Sequence, residues 1–129
     1  MAKVKPVSSD TVIEKQRNSG FSGTNLESEL RAREIENIVF VGIPLDHCVD
    51  ATVRHASDFG FHCFVISDAT VSFDRVTHEA ITIAASDIHV RTLASLQQEF
   101  ASILSTGELL HILAEPNAVN YLELEKSPK

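Results

Sequence analysis

A chain of 129 residues is long enough for one domain around a single core. Its formal charge of −7, with no basic, aromatic-rich patch, argues against nucleic acid or an anionic membrane as partner. No apolar segment approaches the roughly 18–20 residues of a membrane span, the opening MAKVKPVSSD has no apolar signal core, and two cysteines make no disulfide framework, so the expectation is a cytoplasmic protein.

Residues 1–10 are polar, with Pro6 and paired serines, and read as a loose lead-in. TVIEK (Thr11–Lys15) is short and β-branched and predicts a strand ending in a lysine, and QRNSGFSG follows as a loop. In TNLESELRARE, Thr24 and Glu27 have the T-x-x-E spacing of a capping box, and Leu26 and Leu30 share a face, so a helix is expected. IENIVFVGI (Ile35–Ile43) is too continuously apolar for a half-exposed strand and predicts an interior strand of a parallel sheet. A second helix starts at Asp46 as its N-cap, carries Val49, Val53 and Ala56 on one face and stops at Gly60. FHCFVISDA (Phe61–Ala69) predicts the next buried strand. DRVTHEAITIAASD (Asp74–Asp87) reads as a helix capped by Asp74, IHVRTL (Ile88–Leu93) as a strand, and SLQQEFASILSTG as a helix with Leu96, Phe100 and Ile103 inward. From Glu108 onward the pattern is ambiguous.

Strands alternating with helices imply right-handed βαβ crossovers, hence an α/β fold: a three-layer αβα sandwich on a mainly parallel, Rossmann-like sheet. The domain is expected over residues 11–107, with 108–129 as a C-terminal tail. Ligands of such sheets sit beyond the carboxyl ends of the strands, where Lys15, Cys48 and Asp68 fall.

Cys48 stands at about the second position of its predicted helix, where unpaired N–H groups and the helix dipole favour a thiolate. On local grounds both a nucleophile and a buried structural thiol stay open. Cys63, among Phe61, Phe64 and Val65, reads as inert packing. The Ile43–Pro44 bond is expected to be trans on local sequence alone. His47, Cys48, His55, His62 and Cys63 fit no zinc spacing, so no metal and no other cofactor is expected. SGFSGT lacks the Lys-Ser/Thr of a P-loop and the G-x-G-x-x-G spacing. Asp68 is read as an anchor for the loop that follows it, and His78 and His89 as surface or packing residues.

Taken together, EKQRNSGFSGTNLESELR, IVFVGIPLDHCVDATVRHASDFGF, VISDA and the downstream HEAI resemble, in order, the segments of the isochorismatase-like cysteine hydrolases. That family includes nicotinamidases, isochorismatases and ureidoacrylate amidohydrolases. The resemblance runs from about Thr11 to about Leu104 and is most specific around Cys48. It implies Cys48 as nucleophile, Lys15 as the cation that holds its thiolate, and a substrate pocket at Phe21, Ile43, Pro44 and His47. It also implies a cis peptide at Ile43–Pro44. Two features depart from the pattern. The aspartate of the family's Asp-Lys-Cys triad lies on a strand far upstream of the lysine and has no counterpart here, and Pro44 has no N–H to lend an oxyanion hole.

The expected function is cysteine-dependent hydrolysis of a small amide or similar C–N bond through a thioester. The alternative is a catalytically incomplete member that binds a ligand or partner. A sheet lacking its first strand would leave an apolar edge beside Ile35–Ile43, so a homo-oligomer is expected.

Overall fold

The computed structural model describes residues 5–115. In chain order they form α1 (Leu26–Ala32), β1 (Asn37–Gly42), a π-helical turn (Leu45–Val49), α2 (Asp50–Asp58), β2 (His62–Thr70), the short strands β3 (Arg75–Val76) and β4 (Thr82–Ile83), α3 (Ala85–Leu96), β5 (Ser102–Leu104) and α4 (Thr106–Ala114). β1, β2 and β5 make a parallel sheet in the order β1-β2-β5, with Ile38 opposite Cys63 and Val65 opposite Ile103, while β3 and β4 form a separate antiparallel hairpin.

The alternation of β2 builds two cores. Cys63 and Val65 join Leu45, Val49, Val53, Ala56, Phe61, Leu96 and Ala101 on one face of the sheet. Phe64 and Ile66 point the other way and pack with Leu104 and Ile112 under α4. A sheet with helices on both faces is the three-layer α/β architecture expected. α2 ends as predicted at Gly60, whose φ of +89° lets Gly60 N–H and Phe61 N–H turn back to Ser57 and Ala56 carbonyls. The Ile43–Pro44 peptide is cis.

Several expectations need correction. Thr11–Lys15 forms no strand and pairs with no other strand among the described residues. The capping box of α1 does not form, because the Thr24 hydroxyl donates to the Gly20 carbonyl and Glu27 pairs with Arg31. β1 is not interior: among the described residues it pairs with β2 alone, and Val39 and Val41 are exposed. The predicted helix over Asp74–Asp87 is the β3–β4 hairpin. The predicted strand Ile88–Leu93 lies inside α3, and the predicted helix 95–107 covers the end of α3, a turn and β5.

Asp74 does cap a helix, but across the hairpin: its Oδ1 accepts from Ala85 N–H at the head of α3. The unassigned stretch from Glu108 is part of α4, so the fold runs past residue 107. Ser105 and Glu108 close a capping box there, and Asp68 Oδ1 accepts from Thr106 N–H and Oγ1. Those two donors hold the Asp68 carboxyl below the usual carboxylate range. The uncalled segment beyond residue 115 lies outside the described residues. Among the described residues no helix is long and apolar enough to cross a membrane.

Candidate active site

β1 ends at Gly42, and the chain turns through Ile43 and Pro44 into the π-helical turn, which leads directly into α2. Leu45, fully buried, nails the turn to the core, and its N–H donates to Val71 O beyond the end of β2 at 2.8 Å. Val49, the last residue of the turn, is buried in the same cluster. Between these two anchors Cys48 is left half-buried, beyond the carboxyl end of β1. Parallel α/β sheets place their ligands at that end.

Asp46 is not the helix N-cap that its spacing suggested. Its carboxylate is gripped by Arg75 of the hairpin through Nε to Oδ2 at 2.7 Å and Nη2 to Oδ1 at 3.0 Å. These guanidinium hydrogen bonds hold the Asp46 carboxyl below the ordinary carboxylate range, against the opposing effect of burial.

The segment that carries Lys15 reaches Cys48 through Asn18, whose Oδ1 accepts from Cys48 Sγ at 3.6 Å. Two tethers to α2 hold this segment in place. Ser19 is buried and its Oγ lies 2.9 Å from His55 Nδ1, while Gly20 N–H donates to Thr52 Oγ1 at 3.0 Å. Thr52 Oγ1 in turn donates to the Cys48 carbonyl at 2.6 Å, so one threonine touches both halves of the site. Lys15 itself is exposed; its Nζ donates to Arg17 O at 2.8 Å rather than to Cys48 Sγ. It lines an open hollow of about 800 Å³ with Glu14, Gln16, Arg17, Ser22 and Gly23. A separate cleft of about 430 Å³ lies at the opposite end of the sheet, where β2 and β5 begin, away from this chemistry.

The expected pocket residues separate. Ile43 and Pro44 are half-buried next to the turn, and His47 is exposed with Nε2 3.7 Å from Asp46 Oδ2. Phe21 does not line the hollow. It is buried in the core, with its ring 5.4 Å from those of His55 and Phe59 and stacked on Phe61 at 6.1 Å. Asn18, Thr52, Ser19 and Arg75 escaped the sequence reading. Only Thr52 left a signal: four residues after Cys48, it falls on the same helical face. Among the described residues, no group of three His, Cys, Asp or Glu side chains is placed to hold a metal ion.

Comparisons with known proteins identify the family of this fold. The family model described as the isochorismatase domain matches residues 1–108. The isochorismatase family protein YrdC of Bacillus subtilis is 41% identical over 108 residues, covering 84% of this chain and 58% of YrdC. The ureidoacrylate amidohydrolase RutB of Variovorax paradoxus is 41% identical over 70 residues, 54% of this chain and 28% of RutB. The crystal structure of an isochorismatase from Pseudomonas putida superposes with a TM-score of 0.76 at 28% identity, covering 80% of this chain and 53% of that one. The chain thus spans little more than half the length of YrdC and of the Pseudomonas putida protein, and its match to RutB covers about a quarter of that enzyme. A match across most of the chain, on a parallel sheet with a cysteine-bearing turn at its carboxyl edge, makes this chain a member of the isochorismatase family.

Proposed function

We propose that the chain carries the nucleophile of a cysteine hydrolase acting on a small amide or similar C–N bond, with Cys48 as the attacking group. The observation that carries this reading is the placement of Cys48: half-buried, on a turn anchored on both sides by buried Leu45 and Val49, at the carboxyl end of the sheet. The thiolate sulfur adds to the substrate carbonyl carbon, and the tetrahedral oxyanion collapses with breakage of the C–N bond as the amine takes up a proton. Water then adds to the thioester, and the acid leaves as the thiolate returns. Lys15, on the segment that Asn18 brings to the sulfur, supplies positive charge that favours the thiolate once its ammonium turns from the Arg17 carbonyl. The relation to RutB, a ureidoacrylate amidohydrolase, supports an amide substrate.

In this reading the proton acceptor is the weak point. Among the described residues, Asn18 is the side chain that accepts a hydrogen bond from the thiol, and an amide oxygen cannot take its proton. The test is an assay of primary amides and ureido acids with the wild-type chain and Cys48→Ala. Turnover lost in the variant supports the reading. Turnover that survives in it, or none from a chain whose Cys48 titrates as a free thiol, favours a non-catalytic binding module.

Self-association belongs to the same proposal. β1 presents Val39 and Val41 at 39% and 59% exposure beside a strand edge with no partner among the described residues, an arrangement that pairs readily with another chain. A monodisperse monomer with a cooperative melt would contradict it.

A further inference from the structure

Asp46 places a carboxylate on the same five-residue turn as Cys48, two positions before it. A negative charge on the same turn disfavours a thiolate through its field rather than by contact, and it does so more strongly where water is partly excluded. Its side chain is only 12% exposed, so solvent screens it poorly. Arg75 meets this carboxylate with a two-pronged contact, Nε to Oδ2 and Nη2 to Oδ1. Planar fork-on-carboxylate pairing fixes direction as well as charge.

The arginine is itself anchored. It opens β3, where it pairs with Ile83 of β4, and its neighbour Asp74 holds the head of α3 through Ala85 N–H. The hairpin thus delivers one guanidinium to the cysteine-bearing turn.

We propose that Arg75 is a positioning residue for the hydrolytic reaction: through Asp46 it fixes the cysteine-bearing turn and cancels the carboxylate of that turn, which would otherwise oppose ionisation of Cys48. This rests on the reading of Cys48 as nucleophile and extends it to the hairpin. The remaining charged groups around the turn are accounted for as follows. His47 approaches the same carboxylate at 3.7 Å through Nε2. Asp50 is paired with Arg54 at 3.0 Å. Lys15 lies on the segment of Asn18. α3, which also packs on the turn, carries Asp87, His89 and Arg91, of which His89 is held by Ser72 Oγ and the Ser67 carbonyl. None of these duplicates the grip of Arg75 on Asp46.

The proposal separates from a merely structural role because its two partners act with opposite sign. Arg75→Met keeps the aliphatic stem but bares the Asp46 charge, so Cys48 becomes harder to ionise. Asp46→Asn breaks the same ion pair but leaves a cation beside the turn, so Cys48 becomes easier to ionise. The measurement is the pH–rate profile of Cys48 alkylation by iodoacetamide in the full chain, read by peptide mass spectrometry with Cys63 as internal control, beside thermal melts of each variant.

Arg75→Met is expected to slow alkylation at pH 7 by about threefold to tenfold, with its profile moved to higher pH. Asp46→Asn is expected to move the profile to lower pH, and Arg75→Lys to recover most of the loss. Parallel slowing in Arg75→Met and Asp46→Asn, in step with their melting temperatures, would make the pair purely structural and overturn the proposal. A wild-type Cys48 of depressed apparent pKa with both variant profiles unmoved would overturn it too, while leaving the nucleophile in place. A wild-type Cys48 that titrates as an ordinary thiol would remove the nucleophile reading and this proposal with it.

Discussion

Thr52 joins the two halves of the candidate site, so its replacement by valine tests whether they act together. Valine keeps the branched shape but removes the acceptor for Gly20 N–H at 3.0 Å and the donor to the Cys48 carbonyl at 2.6 Å. Each such bond contributes about 1 kcal/mol net, and the half-buried Gly20 N–H left unpaired pushes the loss upward, so Thr52→Val should destabilise by about 1–2.5 kcal/mol. For a domain of this size each kcal/mol corresponds to roughly 3–5 °C, which places the melting temperature about 3–12 °C lower. The same substitution frees the segment of Lys15 and Asn18 from α2, since the Ser19–His55 contact becomes its main remaining tether. Cys48 alkylation at pH 7 should therefore shift from its wild-type rate as Asn18, which accepts from Cys48 Sγ, loses its fixed placement. Differential scanning calorimetry and the alkylation profile together check this. A melt within a degree of wild type, with an unmoved profile, would refute the claim that Thr52 couples the segment to the nucleophile.

Two further outcomes bear on parts of the same account. Ile112→Ala should destabilise by about 2–4 kcal/mol in urea titrations, because Ile112 is buried against Phe64, Ile66 and Leu104. A change near zero would mean that α4 does not close the second core. The Asp46 carboxyl is held below its ordinary value mainly by the Arg75 hydrogen bonds. The pair's contribution is therefore fully present above the unfolded pKa near 3.8 and is lost as pH falls below that value toward the lowered folded one. The stability difference between wild type and Asp46→Asn should then shrink as melts are taken from pH 6 down to pH 2, and a difference constant over that range would contradict the assignment.

How legible this molecule was depends on where its order comes from. β1 and β2 announce themselves as apolar β-branched runs, and α2 is bracketed by Gly60, whose left-handed conformation no other residue adopts as cheaply. The cysteine's station at the end of β1 followed from those two facts. Between Ser72 and Ser105 the sequence misled. Ile88, Val90 and Thr92 alternate like a strand, yet they lie on α3, whose buried contacts come from Leu93 and Leu96. Leu96, Phe100 and Ile103 do all face the core as their spacing suggested, but across a helix end, a turn and β5 rather than along one helix. Pairing of Val65 with Ile103 decides that stretch, and it is a long-range choice that local periodicity does not encode.

The site divides along the same line. Cys48 could be found from its setting, whereas Asn18, Ser19 and Arg75 come from segments up to thirty residues away, joined to it only by the fold. Phe21 was expected at the pocket from the family resemblance alone; in the fold its ring packs against His55, Phe59 and Phe61, a long-range arrangement that the local sequence does not encode.

The claim at the centre of the account is that Cys48 is an activated thiol. Its most direct test is the rate of Cys48 alkylation at neutral pH in the folded wild-type chain, against the same cysteine in the urea-unfolded chain, with Cys63 read in the same digest. Cys48 is expected to react faster folded than unfolded, while folded Cys63 stays slow because it is buried. A Cys48 that reacts more slowly folded than unfolded, or no faster than folded Cys63, would contradict the claim.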